Sequence, residues 1–168
     1  MRPQARDAAT RASTHGRRRT AGRAEPAPDP VLEFIRTMWS VDHELQRVSK
    51  RMVGRMGLTA PQRLAVRFIG RHPGLTLGKL AELLHLHPGT VTGIVKRLEA
   101  SGLATRVRSA EDTRRMHLTL TTKGRTVDRR RSGTVEAAVR TMTGAVSARD
   151  LQTTSRVMHL LAENLAAV

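Results

Sequence analysis

Between Thr76 and Thr121 the apolar positions change their period. Leu77, Leu80, Ala81 and Leu84, and then Val91, Ile94, Val95 and Leu98, recur at i, i+3, i+4 and i+7, the spacing of a helix buried along one face. Leu103, Thr105 and Val107, and after them Met116, Leu118 and Leu120, instead alternate with polar or small neighbours and read as two half-buried strands. Pro88 suits the first turn of the second helix, and Ser101-Gly102 suits its end. Two short helices, a strand, a charged turn from Ser109 to Arg115 and a second strand form the order of a winged helix-turn-helix.

The flanking pattern predicts more helix. Val31, Ile35, Met38, Val41, Leu45, Val48 and Met52 step by three or four along a helix reaching about Arg55, with Asp29 as its cap, Pro30 at its first position and Gly57 as its stop. A second helix is expected from Pro61 to about Arg71, with Leu64, Ala65, Phe68 and Ile69 inward. Beyond the strands, Thr121 or Thr122 caps a helix through about Met142 that carries Val127, Val135, Ala138, Val139 and Met142. Ser147 and Asp150 have capping-box spacing and open a last helix with Leu151, Met158, Leu161 and Leu165 along one side.

The expected fold is therefore mostly α, a winged helix-turn-helix over about 58–121 with a small β-wing and with N- and C-terminal dimerisation helices over about 30–55 and 122–167. The outer helices carry more apolar face than one small winged domain covers, so a homodimer is expected. Residues 1–28 lack any apolar period, are rich in Arg and Ala, and are expected to be a disordered basic arm ahead of a folded domain over 29–168.

Composition sharpens this reading. The chain has 168 residues, 39% of them apolar but only 2% aromatic, so its core is built from Leu, Val, Met and Ala, which favours helices. The formal net charge is +16, carried mostly by Arg, whose planar fork fits phosphates and guanine edges. GC-rich coding also raises Arg and Ala, so charge alone discriminates little. The absence of Cys excludes disulfides, thiolate catalysis and Cys-ligated metal.

His43, His72, His85, His87, His117 and His159 are scattered, and no metal site is expected. Gly74-Leu75-Thr76-Leu77-Gly78-Lys79-Leu80 resembles a phosphate loop, but its glycine spacing is one short and Leu80 stands where a hydroxyl is needed. Paired carboxylates and nucleophile constellations are lacking, so neither an enzyme nor a cofactor is expected. No run of about 20 apolar residues is present, which predicts a cytoplasmic protein with no membrane partner.

Candidate chemistry concentrates on the helix beginning at Pro88. With its apolar face inward, Gly89, Thr90, Thr92, Lys96 and Arg97 are left as candidate contacts to double-stranded DNA, hydroxyls and cations being suited to base edges and phosphates. Backbone donors in the first turn are further candidates for a phosphate. Arg97 has a second reading, in which it braces the wing through Asp112, and His87 either contacts DNA or caps the helix.

Around the wing the order is Leu103, Arg106, Arg108, Glu111-Asp112-Thr113-Arg114-Arg115, Leu118-Thr119-Leu120-Thr121 and Lys123-Gly124. With Leu58-Thr59-Ala60-Pro61-Gln62, Leu80-Ala81-Glu82-Leu83-Leu84 and Leu98-Glu99-Ala100-Ser101-Gly102-Leu103, the chain resembles the MarR family of transcriptional regulators over roughly 30–168. The resemblance implies that Arg114, in Asp112-Thr113-Arg114, enters the minor groove, where a narrow A·T-rich tract concentrates negative potential. Asp112 would orient the wing, and Arg115 is either a phosphate contact or half of an intramolecular pair.

The resemblance also implies a pocket for a small aromatic or anionic effector between the dimerisation helices and the winged domain. Trp39, His43, Met52 and Arg67 are its candidate lining, with core or dimer contact as the other reading of Trp39. The function implied is a sequence-specific, ligand-responsive repressor acting as a homodimer on a pseudo-palindromic operator. A sequence-independent DNA compaction protein, suggested by the charge and the basic arm, is the competing expectation.

Overall fold

The computed structural model describes residues 29–108 and 115–168; the arm over 1–28 and the wing residues 109–114, Asp112 and Arg114 among them, lie outside the described residues. In chain order the elements are α1 (Pro30–Met56), α2 (Ala60–Arg71), α3 (Leu77–Leu84), α4 (Pro88–Ala100), β1 (Ala104–Arg108), β2 (Met116–Leu120), α5 (Thr122–Asp128), α6 (Val135–Thr143) and α7 (Ala148–Ala166).

The helix ends follow their local chemistry. Asp29 accepts the Val31 N–H at 2.8 Å, and Gly57 ends α1 in the left-handed region, at φ 70°. Thr59 and Gln62 form a reciprocal capping box at the start of α2, which stabilises the helix by about 1 kcal/mol. At α7 the Ser147 hydroxyl accepts the Asp150 N–H at 3.1 Å and donates to the Asp150 carboxylate at 2.7 Å.

The core lies between α2, α3, α4 and the strands. Leu58, Val66, Ile69, Leu80, Val91, Val95, Leu98, Leu103, Leu118 and Leu120 are all buried in one cluster. The strands pair antiparallel, with Ala104 opposite Leu120 and Arg108 opposite Met116. The Leu118 N–H donates to the Leu75 carbonyl at 2.7 Å, tying the segment before α3 to β2. By contrast α1 buries only Met52, and α6 and α7 bury no residue.

Three sequence expectations are corrected. The helix expected from Thr122 to Met142 is two helices, because Gly133 adopts φ 67° and Thr134 caps a new start by accepting the Ala137 N–H. The first strand has the opposite phase. Residues opposite one another share a face, so Ala104 and Arg106 lie with Leu120 and Leu118, and Val107 is exposed across from His117. On α2, Leu64 points outward at 40% exposure, while Arg63, at 1%, and Val66 turn inward.

Candidate nucleic-acid interface

Helix α4 is held by its rear face: Val91, Ile94, Val95 and Leu98 are buried against the core. Its end is fixed by Gly102 at φ 67° and by the Leu103 N–H, which donates to the Leu98 carbonyl at 2.8 Å. The opposite side presents Gly89, Thr90, Lys96 and Arg97 to solvent, with Thr92 half-buried between them. Among the described residues neither Lys96 nor Arg97 has a carboxylate partner, Glu99 beside them being paired with Arg106.

The first turn of α4 is capped, one of the two roles read for His87. His87 is the cap, its Nδ1 accepting the Gly89 N–H at 3.2 Å, and the Thr90 and Val91 N–H groups both donate to the His87 carbonyl. Pro88 has no N–H. The Gly89, Thr90 and Val91 N–H groups of this turn thus all have partners within the chain. Thr92 donates its hydroxyl proton to the Pro88 carbonyl at 2.9 Å, which leaves its oxygen as an acceptor.

The wing base adds further cations. Arg106 pairs with Glu99 of α4 at 3.2 Å and so braces strand against helix. Arg108 at the end of β1 and Arg115 just before β2 are exposed. The bracing read for Arg97 runs through Asp112, which lies outside the described residues.

A groove of about 730 Å³ opens between α1, α2, α6 and the turn after α3. Leu45, Pro61, Leu64, Leu84, Leu86 and Val139 give it apolar walls, and Asp42, Ser49, Glu136 and Arg140 give it polar points. None of the four residues expected to line a pocket lines this one. Met52 is fully buried, Trp39 is 69% exposed, His43 is exposed, and Arg67 is paired with Asp128 at 2.6 Å. The helical period placed Trp39 and His43 on α1 correctly but could not say which part of α1 faces the groove.

A buried arginine was missed altogether. Arg63 Nε donates to Glu136 Oε1 at 3.0 Å, Nη1 to the Val127 carbonyl at 2.7 Å, and Nη2 to the carbonyls of Asp128 at 3.1 Å and Arg130 at 2.8 Å. Burial lowers the Arg63 guanidinium below its ordinary range, and the Glu136 carboxylate opposes that shift. The sequence signal was the Ser132-Gly133-Thr134 break with Glu136 following, a stop and restart that needs a partner for the exposed carbonyls.

Among the described residues no group of three or more His, Asp or Glu side chains gathers in a metal-holding arrangement, and no helix is long and apolar enough to cross a membrane.

A three-helix core closed by a two-stranded wing, with α4 buried behind and cationic in front, defines a winged helix-turn-helix protein of the kind that reads DNA. The chain belongs to the MarR family. The MarR family model matches residues 56–115. The homoprotocatechuate degradative operon repressor of Escherichia coli is 30% identical over 115 residues, covering 68% of this chain and 76% of that protein. The organic hydroperoxide resistance transcriptional regulator of Bacillus subtilis is 37% identical over 87 residues, 52% of this chain. The chain spans 59% of the length of that relative. Among solved structures, the S. aureus MepR–DNA complex shares the fold, with a TM-score of 0.64 and 21% identity over 79% of this chain and 97% of that one.

Proposed function

We propose that this chain is a sequence-specific DNA-binding transcriptional regulator, a cytoplasmic, ligand-responsive repressor that acts as a homodimer on a pseudo-palindromic operator. The observation that carries the reading is the division of α4 into a fully buried rear face and a front bearing Thr90, Lys96 and Arg97. Thr90 and Lys96 reach base edges and phosphates of the major groove, and Arg114 supplies the minor-groove contact.

Dimerisation is supported by the apolar side chains left in solvent on the outer helices. Val31, Leu32, Trp39 and Val41 of α1 and Val157, Met158, Leu160 and Leu165 of α7 are all exposed in the single chain. A two-fold pairing covers both stripes at once and sets two copies of α4 about one DNA turn apart. The groove between α1, α2 and α6 is the effector site: its apolar walls fit an aromatic body, and Arg140 is the cation for an anionic head group.

Competition with random DNA at rising salt tests this reading. A regulator retains a preferred site as salt rises, because base contacts persist when counterion release weakens. Parallel loss of binding to every sequence would instead favour a compaction protein, the reading that the net charge of +16 supports.

A further inference from the structure

The junction between α5 and α6 is held from two other elements. Arg63 of α2, 1% exposed, places its guanidinium on the carbonyls of Val127, Asp128 and Arg130 and on the Glu136 carboxylate in the first turn of α6. Arg67, one turn further along α2, donates to the Asp128 carbonyl at 3.1 Å and its carboxylate at 2.6 Å, and stands 3.7 Å from Glu136. From the other side Arg130 donates to the Arg55 carbonyl, near the end of α1, at 3.4 Å.

Cations on the last carbonyls of α5 and an anion in the first turn of α6 both suit the local helix dipoles. One buried guanidinium therefore ties the end of one helix to the first turn of the next. Its own helix, α2, packs directly against α3 and α4.

We propose that Arg63 and Glu136 are positioning residues for DNA binding, which fix the direction in which α6 leaves the winged domain and so set the distance between the two reading heads. The proposal rests on the homodimeric DNA-binding reading given above. A guanidinium making four directed bonds to one junction holds that angle more tightly than apolar packing would, and α6 has no fully buried residue of its own to fix it. Glu136 also lines the groove, whereas Arg63 does not. An occupant of the groove thus reaches the junction through the Glu136 carboxylate, which gives the groove a route to head spacing.

The test uses full-length protein and synthetic duplexes that carry the half-sites recovered from genomic selection, with the central spacer native or changed by two base pairs. Each affinity is divided by that for an isolated half-site, so that general weakening of the reading head cancels. The wild type should lose about tenfold when the spacer changes, because two base pairs rotate the half-sites relative to each other. In Glu136→Ala the loss should fall below about threefold, with Glu136→Gln between the two because the amide oxygen still accepts from Arg63 Nε. Arg130→Ala, which frees the same junction from α1, should flatten the profile in the same direction.

A Glu136→Ala profile as steep as that of the wild type overturns the inference while leaving the DNA-binding reading intact. Wild-type protein that recovers no shared site overturns both.

Discussion

Gly124, near the start of α5, lies so close to Leu103 that a Cβ at 124 would overlap the Leu103 carbonyl oxygen. Thr121 and Lys123 fasten the same corner: the Thr121 hydroxyl donates to the Gly102 carbonyl at 2.7 Å, and Lys123 Nζ to the Ser101 carbonyl at 2.9 Å. The Lys123-Gly124 pair thus has a physical meaning, docking the chain after the wing onto the end of α4. Since the obstacle is backbone, Gly124→Ala should destabilise the fold by about 2–3 kcal/mol. Denaturant unfolding measures this directly, and a midpoint equal to that of the wild type would show the docking to be looser than described.

Arg63→Met should be similarly severe, at about 3 kcal/mol, because it removes a paired buried charge and leaves the Val127 and Arg130 carbonyls without their guanidinium donor. Thermal unfolding of Arg63→Met beside Arg36→Met separates structural from surface arginines. Arg36 pairs with Glu33 on the exposed side of α1, and its loss should be close to neutral. Equal shifts for the two variants would contradict the assignment.

The helices were legible in the sequence wherever an apolar period met a start signal, as at Asp29, Pro88 and Ser147. The missed features share one cause, in that each depends on what lies opposite in space. The phase of β1 is set by Leu118 and Leu120 across the ladder, and Val107 is as apolar as a buried strand residue without being one. The break after Asp128 was read through as continuous helix, because the donors that satisfy its carbonyls come from Arg63, far away in sequence. Among candidate DNA contacts, Thr90, Lys96 and Arg97 reach solvent as their helical phase requires. The groove escaped because it is assembled from four separate segments, and the period within one helix does not say which face of another it meets.

Lys96→Ala should weaken binding about uniformly across sequences and reduce the salt slope by about one counterion, as a phosphate contact does. Arg114→Ala should weaken operator binding with a localised footprint change, losing protection at the minor-groove flanks. Unchanged flanking protection would remove Arg114 from the account, and an unchanged salt slope would do the same for Lys96.

Met158→Glu combined with Leu165→Glu places charges on the exposed stripe of α7, which contributes no buried residue to the single chain. Sedimentation should show the wild type as a dimer and the double variant as a folded monomer, with operator affinity reduced to that for a half-site. A dimeric double variant would move the interface away from α7.

Selection of bound fragments from genomic DNA by the full-length protein tests the central claim most directly. The account predicts enrichment of one inverted repeat whose half-site centres lie about one helical turn apart. Fragments recovered in proportion to their length, with no sequence in common, would contradict it.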